Sequence, residues 1–312
     1  MIWLGWRQQR TETLIAAAML AVLAALLIPT GITIASAYHD GGLAACTRPE
    51  VAGCDNAIAA FIGRFNAIGS LIDWMTLLPG VVGVLIAASF VSQLENGTYR
   101  LDWTQSITRG RWVAGKLGLA VGTALLIALA LTLLVTWWRA PFVHLQGRVE
   151  NSNFDSEGTV VAAYTLFALG LGLTIGAIWR RAVPSLVVGF AGYFAARLFV
   201  DTWLRQRLVD PVSTTWKMPN GGPDLTKAWV IDQYPTDAQG RRLTDLCTPN
   251  GGGGTTCHVE KGSADAAPSF MHAVYHPNDH FWALQGIETA IFGAAAALLI
   301  AFAVAWTLRR TR

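Results

Sequence analysis

The sequence predicts an all-α, polytopic membrane protein with six transmembrane helices, and three observations support this fold class. Hydrophobic residues make up 53% of the 312-residue chain and charged residues only 14%, against roughly 25% charged residues in an average soluble protein. Uncharged apolar runs of about 20 residues recur along the chain, and this length is what a helix needs to cross a bilayer. Lysine and arginine are concentrated at one set of ends of these runs.

The predicted spans are residues 14–36, 74–94, 117–138, 159–179, 182–200 and 281–308. Each is expected to be helical, because a bilayer offers no water to satisfy open backbone groups and a helix satisfies its own. Small residues recur in the fourth and fifth spans and predict that these helices pack closely. A substrate groove is the alternative. The residues are Gly170, Gly172, Gly176, Gly189 and Gly192.

A short lead, MIWLGWRQQR, precedes the first span. Trp side chains favour the depth of the lipid headgroups, and cations interact favourably with anionic lipid. The lead is therefore predicted to be an interfacial helix, with Trp3, Trp6, Arg7 and Arg10 as its membrane contacts. A disordered tail is the alternative. The lead, the first apolar run and the following Ala-Ser-Ala also resemble a signal peptide. A run of about 22 residues exceeds the usual 7–15-residue signal core, so an uncleaved span is favoured.

The connections between spans differ in length. Residues 56–72 form an apolar stretch interrupted by glycine and arginine, which we expect to be interfacial or re-entrant. Residues 139–158 join the third and fourth spans, and the fourth and fifth are joined by little more than Arg180 and Arg181, a tight hairpin. Residues 204–280 form a long extracytoplasmic loop rich in Gly, Pro and Asp, expected to have a function or a fold of its own.

The charge distribution predicts the orientation. With both termini in the cytoplasm, the inner side carries only the acids Glu12, Glu95 and Asp102 against a large excess of cations: Arg7, Arg10, Arg100, Arg109, Arg111, Lys116, Arg180, Arg181, Arg309, Arg310 and Arg312. The small net charge of +3 therefore hides a strong asymmetry. This excess indicates membrane topology rather than a nucleic-acid partner.

All four cysteines fall on the predicted outer side of the membrane. Two closely spaced pairs in an oxidising compartment predict two disulfides, Cys46–Cys54 and Cys247–Cys257. Four free external thiols are the alternative, and sequence alone does not fix the connectivity.

Charged residues in or near spans are candidates for a transport pathway, because charge is costly in lipid. Arg197 and Asp201, at i and i+4, are expected to pair on one helix face. Asp73 and Glu288 are expected to face a central vestibule or to meet headgroup water. His272, His276 and His280 recur every fourth residue, which would align them on one helix face as a weak candidate for zinc, although exposed histidines are favoured.

The polar stretch between the second and third spans, residues 95–116, carries a recognisable pattern. Glu95-x-Gly97-Thr98-Tyr99-Arg100 is followed by Ser106, Arg109, Trp112 and Lys116. This pattern resembles the coupling loop of ABC type-2 permeases, the membrane subunits of ATP-binding-cassette exporters. It is most similar to small actinobacterial permeases, many of which begin with a similar W-R-Q-x-R lead. The layout resembles that of the G-subfamily exporters, including a disulfide-bearing last outer loop.

The resemblance implies an exporter permease in the cell membrane that moves an amphiphilic drug, peptide or lipid. It implies a separate ABC ATPase subunit, a second permease subunit and no cofactor on this chain, with ATP and magnesium on the partner. The residue types support this role independently of the resemblance. Gly97 allows the chain to turn out of the second span, and Trp103 can serve as an apolar anchor on a partner protein. Charge-assisted hydrogen bonds to carboxylates of the partner can come from Arg100, Arg109 and Arg111.

The alternative explanations remain open at this stage. The positive-inside rule alone explains the arginines of any inner loop, though not the order of this pattern. A non-transporting membrane sensor or scaffold with a ligand-binding outer loop is the second function considered, and a membrane enzyme using the outer histidines is the third. The sequence contains no phosphate-binding loop of the G-x-x-x-x-G-K-[ST] type, so the chain is not expected to hydrolyse ATP itself.

Overall fold

A computed structural model of the chain describes residues 2–47, 54–98, 108–149, 154–218, 222–237, 239–243, 247–250, 254–257 and 270–310. The α-helices in this part are α1 (Ile2–Asp40), α2 (Cys54–Asp73), α3 (Leu78–Glu95), α4 (Arg109–Gln146), α5 (Val160–Trp179), α6 (Ala182–Phe199) and α7 (Phe281–Arg310). The strands are β1 (Val212–Lys217), β2 (Trp229–Thr236), β3 (Cys247–Asn250), β4 (Gly254–Cys257) and β5 (Phe270–His276).

Six helical segments are long and apolar enough to cross a membrane, which confirms the predicted fold class. They are Thr13–Asp40, Trp74–Glu95, Arg109–Gln146, Val160–Trp179, Ala182–Arg207 and Asn278–Arg310. Helix α2 is not among them. The predicted lead is helical, and α1 continues from it into the first span without a break.

Helix α5 is the centre of the bundle and packs against α3, α4, α6 and α7. Glycine makes this packing close. A Cβ at Gly172 would lie 2.7 Å from the Cβ of Ala87 on α3, and one at Gly189 of α6 would lie 3.3 Å from the Cα of Gly172. The glycines of the fourth and fifth spans therefore serve close helix packing, in which small residues let helix backbones approach each other.

Helix α2 packs through aromatic rings against the C-terminal parts of α1 and α4. Its Phe61 and Phe65 are buried and their ring centroids are 5.2 Å apart. Phe61 also contacts Tyr38 of α1 and Phe142 of α4, at ring separations of 6.3 Å and 5.6 Å. Arg64 is exposed, and its guanidinium carbon lies 5.4 Å from the centroid of the Phe65 ring.

The long loop before α7 contains a small sheet that the sequence analysis did not predict. Its strand order is β1-β5-β2, with both pairings antiparallel, and β3 and β4 form a separate hairpin. The sheet meets the bundle through an apolar cluster that includes Val149, Phe154, Phe281 and Leu284, against which Trp229 packs.

The two ends of the bundle differ in character. We call the end at which α3 ends, α4 begins and α7 ends the basic end, since its exposed residues include Arg109, Arg111, Arg181, Arg309 and Arg310. The opposite end, covered by the β1-β5-β2 sheet, is the sheet end. The tight α5–α6 turn lies at the basic end, where Arg180 adopts a left-handed conformation (φ 53°) to close it.

The close approach of α3 and α5 makes a stability prediction. A Cβ at Gly83 would lie 2.3 Å from the backbone oxygen of Thr165, whereas a Cβ at Gly122 of α4 would meet nothing within 4 Å. Gly83→Ala should lower the free energy of unfolding by about 1–3 kcal/mol, because overpacking forces the two backbones apart. Gly122→Ala is the matched control and should be neutral or slightly stabilising. Thermal unfolding in detergent measures both, and equal stability of the two variants would contradict the packing.

Candidate functional site

The basic end carries the described part of the predicted coupling stretch. Glu95 ends α3, and its Oε2 accepts a hydrogen bond of 2.8 Å from the backbone N–H of Ala182, the first residue of α6. A carboxylate at a helix N-terminus satisfies an open N–H group and interacts favourably with the helix dipole. Glu95 therefore joins the end of α3 to the start of α6 within this chain, a contact that sequence reasoning missed.

The path of the chain after Glu95 matches the predicted turn. Gly97 has a φ of 68°, a left-handed conformation that glycine adopts without strain, and Thr98 beside it is exposed. The chain resumes at Thr108, which precedes the first turn of α4, where Arg109 and Arg111 are exposed. The other predicted coupling residues lie outside the described residues: Tyr99, Arg100, Trp103 and Ser106.

Further contacts tie the helices together at the basic end. Trp112 of α4 is buried against Phe90 of α3, with ring centroids 5.8 Å apart. Arg310 of α7 donates a hydrogen bond of 2.9 Å from Nη1 to the backbone oxygen of Ile178, in the last turn of α5. A displacement of the stretch between α3 and α4 would therefore act directly on both helices, and the contact of Glu95 would transmit it to α6.

The sheet end contains a buried group of charges that we call the ionic cluster: Asp155, Tyr164, Arg197, Arg205 and Glu288. Glu288 of α7 is fully buried between the two arginines. Arg205 reaches Glu288 Oε2 through Nε at 2.9 Å, and Arg197 reaches Glu288 Oε1 through Nη1 at 3.1 Å. The hydroxyl of Tyr164 donates a short hydrogen bond to the same Oε1 and accepts one of 2.6 Å from Arg197.

Asp155 completes the ionic cluster from the connection between α4 and α5. Its Oδ2 lies 2.5 Å from Arg197 Nη2, and its Oδ1 lies 2.5 Å from Arg205 Nη2. Burial alone would raise the pKa of the Asp155 carboxyl. The two guanidinium groups outweigh burial and hold this pKa below its ordinary value. The aspartate is therefore charged and is held by two cations at once.

The structure corrects the predicted Arg197–Asp201 pair. Arg197 bonds instead to Asp155 and Glu288, while Asp201 bonds to Arg205 Nη1 at 2.7 Å. Helix α6 changes to a π-helix at Val200–Leu204, so residues beyond Arg197 do not continue the same α-helical face. The expectation that Glu288 meets a vestibule or headgroup water is also wrong, because its partners enclose it completely.

The segment that carries Asp155 is itself buried. Phe154, Asp155, Ser156 and Glu157 are each at least nine-tenths buried although they belong to a connection between helices. Gln285 of α7 holds the segment at both ends, since its Nε2 donates to the backbone oxygens of Phe154 (2.9 Å) and Glu157 (3.1 Å).

Additional charges from α4 and its C-terminal side flank this segment. Arg139 Nη1 donates to Ser156 Oγ at 3.3 Å, and Arg148 lies 3.8 Å from Glu157. Burial raises the pKa of Glu157, and the nearby Arg148 and Arg139 only partly oppose this effect.

Sequence reasoning named Glu288 and Arg197 but missed their partners. Asp155 and Arg205 were assigned to outer loops, and Tyr164 was counted only as part of an apolar run. One signal was available, because Arg197, Asp201 and Arg205 alternate in charge at i, i+4 and i+8. That series marks a charged helix face continuing beyond the predicted end of the fifth span, although it does not identify Asp155.

The predicted histidine face on a helix is wrong. His272 and His276 belong to strand β5, and His280 ends a 3-10 turn before α7. His272 Nδ1 lies 2.7 Å from Thr215 Oγ1, and the Nδ1 atoms of His276 and His280 lie 3.1 Å apart. Among the described residues, no group of three or more His, Cys, Asp or Glu side chains is arranged to hold a metal ion.

His276 is the buried member of this group. Its ring lies against Trp229 and is shielded from solvent, and within the described part of the chain its Nε2 has no hydrogen-bond partner. Burial lowers the pKa of the His276 imidazole below its ordinary value of 6.5, and the neighbouring His280 acts in the same direction.

The remaining predicted residues are the cysteines, Asp73 and the lead residues. Cys46, in the 3-10 turn after α1, and Cys54, the first residue of α2, form a disulfide. Cys247 and Cys257 are directly opposite each other in the β3–β4 hairpin, while their side chains lie outside the described residues. Asp73 is the last residue of α2. It and the lead residues are placed only as backbone within helices, the lead residues being Trp3, Trp6, Arg7 and Arg10.

Comparison with known proteins gives one match. A family model described as "ABC-2 membrane transporter related" matches residues 17–205, which is more than half of the chain and includes most of α1 and all of α2 to α6. No curated protein and no solved structure matches the chain.

The ionic cluster makes a prediction about stability. Arg205→Met should lower the free energy of unfolding by about 3–5 kcal/mol, because it leaves the two buried carboxylates of Asp155 and Glu288 with Arg197 as their one remaining cationic partner in the ionic cluster. The matched control is Arg242→Met, which breaks an exposed pair with Asp232 and should cost at most about 1 kcal/mol. Detergent-solubilised protein, unfolded thermally at one pH, gives both values. A loss for Arg205→Met no larger than that for the control would contradict the cluster.

The buried His276 makes a prediction about pH. Its pKa is lower in the folded protein than in the unfolded chain, so the unfolded state binds more protons and stability falls as the pH drops below about 6.5. His276→Asn removes this proton-binding site and should lose less stability between pH 7 and pH 5 than the wild type. His272→Asn is the control and should follow the wild type. Melting temperatures at both pH values measure the effect, and parallel losses in all three proteins would contradict it.

Proposed function

Because the chain belongs to the ABC-2 membrane transporter related family, we propose that it is the permease subunit of an ATP-driven exporter. Family membership and six membrane-spanning helices make it a transporter permease. The proposal adds the direction of transport, the ATPase partner and the class of substrate. The substrate is an amphiphilic molecule, such as a drug, peptide or lipid, that leaves the cell.

The observation that carries this proposal is the arrangement of the basic end. The chain leaves α3 through Gly97 and returns at Arg109, so both described ends of the polar stretch lie at the end of the bundle where the arginines are concentrated. Excess lysine and arginine favour the cytoplasmic side of a membrane, where ATP and a soluble ATPase are found. Both termini are then cytoplasmic, and the sheet end faces the exterior.

The contacts at the basic end support coupling to an ATPase. ATP binding, with magnesium, brings the ATPase subunits together and displaces the stretch between α3 and α4. Arg109 and Arg111 are exposed there and offer charge-assisted hydrogen bonds to carboxylates of the partner. Glu95 passes the displacement to α6 through its bond to Ala182. Tyr99, Arg100, Trp103 and Ser106 complete the docking surface in this proposal.

The assembly requires a second permease subunit, either identical or a sister chain. One bundle of six spans has α5 at its centre, surrounded by other helices, and so leaves the substrate path to the boundary between two bundles. Helix α6 exposes an apolar face to that boundary or to lipid, formed by Val183, Val187, Phe194 and Leu198. An amphiphile enters such a path from the membrane as readily as from water.

The docking proposal predicts the effect of a charge reversal. Arg111→Glu should weaken binding of the ABC ATPase about 10-fold or more, because it sets like charges against each other at the interface. Arg242→Glu on the sheet end is the matched control and should leave binding unchanged. Co-expression with an ABC ATPase from the same genome, followed by affinity purification through the permease, gives the ratio of the two subunits. Unchanged recovery with Arg111→Glu would exclude this residue from the interface, and no recovery with the wild type would overturn the proposed function.

A further inference from the structure

The buried segment at the sheet end lies at the opposite end of the bundle from the coupling stretch, and it is bonded to α4, α5, α6 and α7. We define residues 154–158, FDSEG, as the gate segment. It follows α4 and precedes α5, and its side chains point into the end of the bundle rather than toward solvent. A polar, acidic connection is ordinarily found on a protein surface, so its burial here calls for a physical reason.

We propose that the gate segment locks the outer end of α6, which borders the transport path between the two bundles, and that Arg197 and Arg205 hold this lock shut. The inference rests on the proposed function, because a gate has meaning only in a transporter. Closure depends on Asp155, which both arginines bind at 2.5 Å. Release of that one carboxylate from the two guanidinium groups frees the segment from α6.

The chemistry of the ionic cluster suits a gate better than a permanent plug. Well-packed apolar residues would fill this space with less desolvation cost than two arginines and two carboxylates, so stability alone does not account for the charges. When a charged closure opens, its ions become hydrated. The hydration free energy that they gain offsets much of the electrostatic attraction that they lose. An apolar closure would instead expose its hydrophobic surface to water on opening. The two states of a charged gate therefore differ less in free energy.

The backbone around the gate segment is suited to a change of position. Gly158 has a φ of 71° and Gly147, at the end of α4, a φ of 87°, so glycine stands where the chain turns on both sides. A Cβ at Gly158 would lie 2.7 Å from Gln285 Oε1, so the closed position also requires glycine sterically. Helix α7 also holds the segment, through Gln285 and, at the adjoining Thr159, through a 2.8 Å hydrogen bond between the hydroxyls of Thr159 and Thr289.

Helix α6 connects this gate to the basic end. Its first residue, Ala182, donates to Glu95 beside the coupling stretch, and its continuous extension to Arg207 carries both arginines of the gate. The π-helix at Val200–Leu204 lies between Arg197 and Arg205, so a change in helical winding there would alter the spacing of the two guanidinium groups. A shift of α6 at the basic end thus acts on Asp155 directly.

The experiment measures the accessibility of the gate segment and needs no knowledge of the substrate. The chain and its ABC ATPase are reconstituted together in lipid nanodiscs, and single cysteines are labelled with a membrane-impermeant maleimide. Ser156→Cys reports on the gate segment. Ser213→Cys, exposed on β1, and Ser89→Cys, buried in α3, are matched serine controls. Labelling of the wild type gives the background from the native cysteines.

The proposal predicts a change that depends on nucleotide. With ATP and vanadate, labelling of Ser156→Cys should rise by about 10-fold or more over the nucleotide-free complex, as expected when a ligand inverts a two-state equilibrium. Ser213→Cys should label equally in both conditions, and Ser89→Cys should label in neither. Adding the Thr159→Cys/Thr289→Cys pair and oxidising it should fix the segment to α7 and abolish the rise, while each of these cysteines alone should not.

The outcomes separate the gate from the proposed function. If the complex hydrolyses ATP and Ser156→Cys labelling is equally low or equally high with and without nucleotide, the gate proposal is wrong and the permease assignment stands. If oxidation of the cysteine pair leaves the rise intact, the segment does not open away from α7 and the gate proposal is again wrong. If no ABC ATPase assembles with the chain, the proposed function fails and the gate fails with it.

Discussion

The cost of placing charge in a hydrocarbon interior is the constraint on which the rest of this structure depends. It explains why most lysines and arginines near the spans lie at the ends of the bundle, where water and headgroups reach them. Their excess at one end is the bias described by the positive-inside rule. The same cost also explains why the charges that do enter the bundle are enclosed by partners. Arg197, Arg205, Asp155 and Glu288 are all buried, and each contacts at least two polar groups. A single unpaired charge among them would be strongly destabilising.

Under the same constraint, the contacts at the two ends of the bundle differ in burial and in number. At the basic end, the polar contacts of Glu95 with Ala182 and of Arg310 with Ile178 are exposed, and a surface of this kind suits the docking of a soluble partner that we propose. At the sheet end, the contacts are buried and multivalent, and they involve α4, α5, α6 and α7 together. Helix α6 belongs to both regions, since Glu95 contacts its first residue and Asp155 contacts its last turns. The fold therefore provides a direct mechanical connection across the membrane.

How far the sequence predicts this structure depends on the range of the interaction. The six spans, the Arg180–Arg181 hairpin, the turn at Gly97 and the glycine packing of α5 follow from local composition and backbone preference. The ionic cluster does not, because Asp155 and Glu288 are far apart in sequence and meet Arg205 only after four elements have packed. The π-helix after α6 could not be predicted from the sequence either, and it separates Arg197 from the helical face on which a pair with Asp201 was expected.

The sheet of the outer loop was missed for a related reason. Strands β1, β2 and β5 are short and separated by long connections, so no hairpin signal links them, and the central strand β5 comes last in sequence. The i, i+4 spacing of its histidines fits one face of a strand as well as one face of a helix, because four is a multiple of the strand period of two. Spacing alone could not decide between these two structures.

Orientation in the membrane is the claim on which the coupling and gate assignments both depend. It is tested most directly in intact cells, with a membrane-impermeant thiol reagent and two single cysteines, Gly110→Cys at the start of α4 and Ser213→Cys on β1. Both positions are exposed, and a Cβ at Gly110 meets nothing within 4 Å. The account predicts that Ser213→Cys is labelled in intact cells and Gly110→Cys only after lysis. Labelling of Gly110→Cys in intact cells, with Ser213→Cys protected, would contradict it.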